Sequence, residues 1–220
     1  MCSSDLAGSD LQGIKTTAKQ SGNGYVLNGS KTFITNGQTA NLIIVVAKTD
    51  PTAGARGTSL LIVETDGAEG FERGRNLDKL GQEAQDTSEL FFNDVKVPTE
   101  NLLGADEGQG FFQLMGQLPQ ERLNIAVQGM ATIERALEVI IAYVKERQAF
   151  GKPIIMNQAI AFKLANMCTQ IDAARLLIWR AAWLARNGGF KNAEGSMSKY
   201  YASEMSVHVT QEAKIGRAHV

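Results

Sequence analysis

A planar cation, an aromatic ring, a glycine and an amide stand close together at Arg147, Phe150, Gly151 and Gln158, between two long apolar-striped segments. The Arg147 guanidinium is permanently charged, and its planar fork suits a pyrophosphate or a stacked adenine. Phe150 offers a flat stacking face, Gly151 lets the chain turn tightly, and the Gln158 amide can read an adenine or ribose edge. Near the start, Ala7-Gly8-Ser9-Asp10 joins small residues, which let the backbone approach a ligand, to a Ser9 hydroxyl that both donates and accepts. In Lys31-Thr32-Phe33-Ile34-Thr35-Asn36-Gly37, Phe33 adds flat contact area and Thr35 a hydroxyl. Glu121 and Arg122 place an acid beside a base. Each group also has a plainer account: a helix–helix connection, a surface turn, an edge strand ending at Asn-Gly, a solvated charge pair.

The elements that must position these residues change period midway. Tyr25-Val26-Leu27 and Ser30-Lys31-Thr32-Phe33 flank Asn28-Gly29, which predicts a hairpin there, because both turn positions favour positive φ. Residues 42–47, 59–64 and 90–97 read as further strands, the last closed by Pro98. Beyond the Gly- and acid-rich residues 103–110, Ala126, Met130, Ile133, Leu137, Ile140 and Val144 fall on one helical stripe. Ile160, Leu164, Met167, Ile171, Ala174, Ile178 and Ala181 form a second, and residues 192–213 a third amphipathic stretch. The expectation is an α+β chain: a small antiparallel β-sandwich or barrel over residues 7–105, then an antiparallel helical bundle over 106–213. Trp179, Trp183, Tyr200 and Tyr201 are expected to pack in the bundle, and Cys168 to be buried and inert.

Hydrophobic residues make up 44% and charged residues 20%, with a net charge of -1, so no basic surface points to nucleic acid. No apolar run is long enough to span a bilayer. His208 stands alone, so no metal site is expected, and with Cys2 set aside Cys168 has no partner for a disulfide. The two ends carry a separate signal. Residues 215–220 back-translate to ATCGGAAGAGCACACGTC; extended by the AG of an AAG codon for Lys214, this is the reverse complement of a string that reads as residues 1–6 from a GTG start. Residues 1–6 and 214–220 are therefore expected to be translated sequencing adapter, flanking an internal fragment.

The stretch Glu146-Arg147-Gln148-Ala149-Phe150-Gly151-Lys152-Pro153-Ile154, closed by Asn157-Gln158, resembles the "ERxxFGxxI…Q" signature of the acyl-CoA dehydrogenases. Ala7-Gly8-Ser9-Asp10 is similar to the end of that family's "TEPxAGSD" segment. Residues 31–37 are similar to its "GxKxWITNG" strand, with Phe33 where many members carry Trp, and residues 77–98 to its "KLGxxxSxTxxLxFxDVxVP" pattern. The resemblance covers about residues 7–213 and implies the family's middle and C-terminal domains, with its N-terminal helical domain and last bundle helix absent. It implies FAD as cofactor, with Ser9, Phe33, Ile34 and Thr35 on the flavin side. Phe33 would pack on the isoalloxazine, and Thr35 would hydrogen-bond near the N5–C4 edge. Arg147, Phe150 and Gln158 would contact the adenosine-pyrophosphate half of a neighbouring subunit's FAD. Ala149 stands where the family often has a hydroxyl.

The same resemblance gives Ser9, Glu121 and Arg122 to an acyl-CoA substrate. Glu121 lies where the isovaleryl and long-chain branches keep the catalytic base; most other members keep it in a C-terminal segment outside this chain, and Leu118-Pro119-Gln120-Glu121-Arg122-Leu123 sides with the long-chain branch. The implied reaction takes an acyl-CoA to its trans-2-enoyl-CoA: a carboxylate removes the α-proton and the β-hydride passes to flavin. Electron-transferring flavoprotein would be the acceptor and a homodimer or homotetramer the assembly. The location would be cytoplasmic in a bacterium or the mitochondrial matrix in a eukaryote. The 220-residue chain alone is expected to expose apolar bundle surface and to be inactive. Two alternatives stay open: an acyl-CoA oxidase, nitroalkane oxidase or flavin monooxygenase of the same fold, and a non-catalytic flavin- or partner-binding member.

Overall fold

The computed structural model describes residues 10–214, which divide into two compact units between Met115 and Gly116. Ser9, residues 1–6 and residues 215–220 lie outside the described residues.

The first unit is a six-stranded sheet of β1 (Thr17–Ser21), β2 (Gly24–Thr35), β3 (Leu42–Lys48), β4 (Thr58–Glu64), β5 (Phe71–Asn76) and β6 (Thr87–Pro98), in the order β4-β3-β1-β2-β6-β5. Its neighbours are antiparallel except β1 and β3, which meet in parallel at Thr17 and Lys48. Leu61 and Val63 of β4 share one buried cluster with Leu90, Phe92, Val95 and Val97 of β6, so the sheet curls around its own core. Along β6 the buried residues run Ser88, Leu90, Phe92 and then Val95, Val97. That change of parity is absorbed by a register shift at Asn93–Asp94, where Asp94 has φ 55°.

The hairpin expected at Asn28-Gly29 does not form; β2 runs straight through it. The Asn28 side chain instead serves the facing irregularity, accepting from the Asp94 N–H at 2.9 Å and donating to its carboxylate at 2.8 Å. Gly29 is needed for close approach, since a Cβ there would lie 2.7 Å from Thr16 Oγ1. The turn that joins β1 to β2 is Gly22-Asn23, with Gly22 at φ 59° in its first central position.

The second unit holds most of α1 (Gly110–Glu146), then α2 (Gln158–Arg186) and α3 (Asn192–Glu212). Ile133, Ile140 and Val144 of α1 share a cluster with Leu164, Met167 and Ile171 of α2 and Val209 of α3. Leu123 and Ala126 meet Ile178, Ala181 and Ala202 in another. These pairings run α2 antiparallel to both α1 and α3. Both expected stripes face inward. The long helix begins at Gly110 and carries Pro119 internally. Opposite Pro119 the helices touch backbone to backbone: a Cβ on Gly195 of α3 would lie 2.5 Å from the Pro119 carbonyl oxygen. Glu194 caps α3 by accepting from the Lys191 N–H at 3.1 Å.

Expectations for four residues of the bundle are corrected. Trp179, Trp183 and Tyr200 are 61%, 63% and 69% exposed, on the outward side of their helices, and Cys168 is exposed. Residues 179 and 183 keep helical spacing, but they lie one position past the buried Ile178 and two past the buried Ala181, and so turn away from the core.

Candidate functional site

In the β unit, the site residues lie where β2 breaks its ladder. Lys31 pairs with Leu90 and Ile34 with Ser88, so β2 gains one residue over β6 between them. This bulge places Phe33 at φ 63°, a conformation costing a non-glycine residue on the order of 1–3 kcal/mol, and leaves its ring 67% exposed. Ile34 packs into the core, while Thr35 is exposed. Phe33, Ile34 and Thr35 are thus brought together, with Ile34 as the anchor between two outward-facing groups.

The turn that follows is fastened from behind. Asn36 has φ 60°, and its N–H donates to the Asp86 carbonyl at 3.2 Å. The Gln38 N–H donates to the Asp86 carboxylate at 2.8 Å, and its side-chain amide donates to Gly74 O at 2.9 Å and Ser88 Oγ at 3.0 Å. From β5, Arg73 donates to Gly37 O at 3.2 Å, Ala40 O at 2.9 Å and Thr65 Oγ1 at 2.9 Å, with its guanidinium carbon 5.2 Å from the Phe71 ring centre. Sequence reasoning missed Arg73; nothing in its spacing marks it.

In the helical unit, α1 ends at Glu146 and a short hairpin follows, β7 (Gln148–Ala149) with β8 (Lys152–Pro153). Its two-residue turn is Phe150-Gly151, at φ 54° and 74°. Positive φ at both positions matches the twist of the flanking strands. Gly151 accepts that conformation freely; Phe150 does not, yet it holds the tip and is 95% exposed. Arg147 is exposed at the hairpin's base, fixed through its backbone by Tyr143 O and the Ile154 N–H, each at 2.8 Å. Gln158 is exposed on the first turn of α2. Arg147, Phe150 and Gln158 are therefore a cation, a ring and an amide around one hairpin and one helix start.

Glu121 is exposed on α1. Arg122 is half-buried and tied to α3, donating to Asn192 Oδ1 and, at 3.2 Å, to Ser196 Oγ. No group of three or more His, Cys, Asp or Glu side chains placed to hold a metal ion is found among the described residues. His208 is exposed. No described helix is long and apolar enough to cross a membrane.

The residues present fit a flavin dinucleotide. Two bulky aromatic side chains, Phe33 and Phe150, are held in left-handed backbone and exposed, and each has an exposed donor within three residues in the chain, Thr35 and Arg147. Flat apolar faces suit planar rings, and a fixed cation suits a pyrophosphate.

Residues 1–95 match the family model for the acyl-CoA dehydrogenase middle domain, and residues 108–214 that for the acyl-CoA dehydrogenase C-terminal domain. The chain is 47% identical over 208 residues to the mitochondrial long-chain specific acyl-CoA dehydrogenase of Mus musculus, covering 94% of this chain and 48% of that protein. It is 44% identical to the short-chain specific acyl-CoA dehydrogenase of Megasphaera elsdenii, covering 94% of this chain and 54% of that protein. The crystal structure of an acyl-CoA dehydrogenase from Geobacillus kaustophilus superposes with a TM-score of 0.93 at 45% identity, covering all of this chain and 58% of that one. The chain thus spans about half the length of the curated relatives it matches. With the bulged Phe33 strand, the Arg147–Gln158 hairpin and the three-helix unit each in place, the chain belongs to the acyl-CoA dehydrogenase family, whose members are FAD-dependent oxidoreductases.

Proposed function

We propose that the protein is an FAD-dependent dehydrogenase that converts an acyl-CoA thioester to its trans-2-enoyl-CoA. The observation that carries this reading is the pair of strained, exposed aromatics, Phe33 at φ 63° and Phe150 at φ 54°, within the segments that match the family's flavin motifs. An uncovered ring of that size forgoes roughly 2 kcal/mol of burial, which a stacked ligand recovers. Bound FAD would supply the acceptor for the hydride that leaves the substrate's β-carbon.

The chain's own residues divide the remaining work. Phe33 supplies a flat wall and Thr35 a donor on the flavin's reacting side, with Ile34 locking both to the β-core. Ser9 belongs to the same flavin and substrate face by motif. Arg147, Phe150 and Gln158 hold the adenosine-pyrophosphate half, in the assembled protein that of a neighbouring subunit's cofactor. Glu121 is the proposed base that takes the thioester α-proton. Arg122, braced by Asn192 and Ser196, orients the substrate beside it. Similarity to long-chain and short-chain relatives differs by only three percentage points, 47% against 44%, so the substrate class is stated as acyl-CoA without a chain length. Electron-transferring flavoprotein is the proposed acceptor and a homodimer or homotetramer the proposed assembly.

Anaerobic bleaching of the flavin of the full-length protein by acyl-CoAs of several lengths, wild type against Glu121→Gln, tests the proposal. Bleaching of wild type alone, with FAD retained in both, supports Glu121 as the base. Equal bleaching moves the base elsewhere, and no bleaching by any acyl-CoA overturns the function. Rapid reoxidation of the reduced flavin by oxygen would favour the oxidase alternative.

A further inference from the structure

We infer that Arg73 is a positioning residue for the flavin-facing segment, holding the turn that presents Phe33 and Thr35 in one conformation before the cofactor arrives. The inference rests on the flavin assignment above and deepens it. The segment contains two non-glycine residues at positive φ, Phe33 and Asn36, within four positions. Such a stretch relaxes unless its surroundings over-determine it. Arg73 does this from β5 by satisfying the carbonyls of Gly37 and Ala40 at once, at 3.2 and 2.9 Å. A third donor interaction engages Thr65 Oγ1, which itself donates to Ala40 O at 2.8 Å. Two carbonyls at different heights are met by one rigid fork; an ammonium reaches one of them.

Arg73's contacts are all with neutral groups: two carbonyls, a hydroxyl and the face of Phe71. The neighbouring Arg75 instead pairs with Glu89 at 3.3 Å and is largely exposed, so the two arginines of β5 do different work. Across the turn, Asp86 grips the backbone of Asn36 and Gln38. The turn is thereby held from both sides. A competent state only fractionally populated reduces apparent affinity in proportion to that fraction, so loss of the clamp shows directly in FAD binding.

The test, on the full-length protein, compares wild type with Arg73→Met, Arg73→Lys and the control Arg75→Met. Amide hydrogen exchange is measured without cofactor, and FAD affinity, the visible flavin absorption band and the flavin midpoint potential with it. In Arg73→Met, amides 36–40 should exchange at least about tenfold faster than in wild type, against an unchanged β3–β4 core that reports intact folding. FAD should bind about tenfold more weakly and the absorption band should shift. The potential should fall by about 30 mV, the two-electron equivalent of tenfold, as the Thr35 donor leaves its place. Arg73→Lys should lie between, and Arg75→Met should match wild type. Unchanged exchange in Arg73→Met overturns the inference. Faster exchange with an unaltered flavin band and potential also overturns it, because Arg73 would then be structural only. If wild type takes up no FAD, the flavin assignment itself falls and Arg73 loses its positioning role with it, whatever the exchange shows.

Discussion

Replacing Gly195 by Ala pits two effects against each other within one helix. Alanine favours a helix interior over glycine by about 1 kcal/mol. Against that, its methyl would sit 2.5 Å from the Pro119 carbonyl oxygen and 3.2 Å from two further Pro119 backbone carbons. A carbon–oxygen contact needs about 3.3 Å, so α1 and α3 must part by roughly 0.8 Å. Both contacting atoms belong to backbone, and no rotamer change relieves them. Overpacking of this kind costs about 1–3 kcal/mol, and the separation also loosens the Leu123–Ala126–Ala202 cluster beside it. The clash therefore wins, and Gly195→Ala should destabilise the helical unit by about 1–2 kcal/mol. Gly116 on α1 meets nothing within 4 Å, so Gly116→Ala should stabilise by about 0.5–1 kcal/mol. Gly129 meets Ser206 Oγ at 2.9 Å, a side chain able to turn, and the Ala202 backbone at ordinary contact distances of 3.5 and 3.7 Å, so Gly129→Ala should be close to neutral. Urea unfolding followed by far-ultraviolet circular dichroism measures all three, with unchanged m-values as the check on two-state behaviour. If Gly195→Ala proves as stable as Gly116→Ala, the backbone approach of α3 to α1 is wrong.

Burial, and then the neighbouring Glu107 carboxylate that its hydroxyl contacts at 2.7 Å, push Tyr25 up to about 12 from 10.0, so folding favours the neutral phenol. Its contribution is complete below pH 10 and should be lost between pH 10 and 12, on the order of 2–3 kcal/mol, while Tyr25→Phe should lack that slope; parallel stability curves would refute this. Cys168, exposed on α2, should react with a thiol reagent in the native protein as readily as in denaturant, read by peptide mapping; labelling only after unfolding would contradict its exposure.

The sequence's periodicity identified every long helix, because Leu164, Met167 and Ile171, or Ile133 and Ile140, are buried for reasons local to one helix face. Strands β3 and β4 were equally legible as continuous apolar runs. Asn28-Gly29 misled because its glycine answers to Thr16, a neighbour outside the hairpin pattern, and its asparagine to a bulge sixty-six positions away. Strands β1 and β5 carry too few apolar residues to announce themselves: Thr17–Ser21 buries only Ala18, and Phe71–Asn76 buries none fully. At the site, residue type pointed to Phe33, Thr35, Arg147 and Phe150 through family motifs. The strained backbone of both phenylalanines and the clamp from Arg73 are tertiary facts, invisible to spacing. The outward tryptophans show the limit of periodicity from the other direction, since helical spacing says which residues share a face but not which face is covered.

Those two tryptophans are the only ones in the chain, and both lie on α2. Light absorbed selectively by indole is therefore absorbed in the helical unit alone. Emission should be red-shifted and open to quenching by iodide even in the native state, and its change on unfolding reports α2 and its neighbours while the β unit melts unseen. Any comparison of the two units' stabilities from intrinsic fluorescence would be a measurement of one of them.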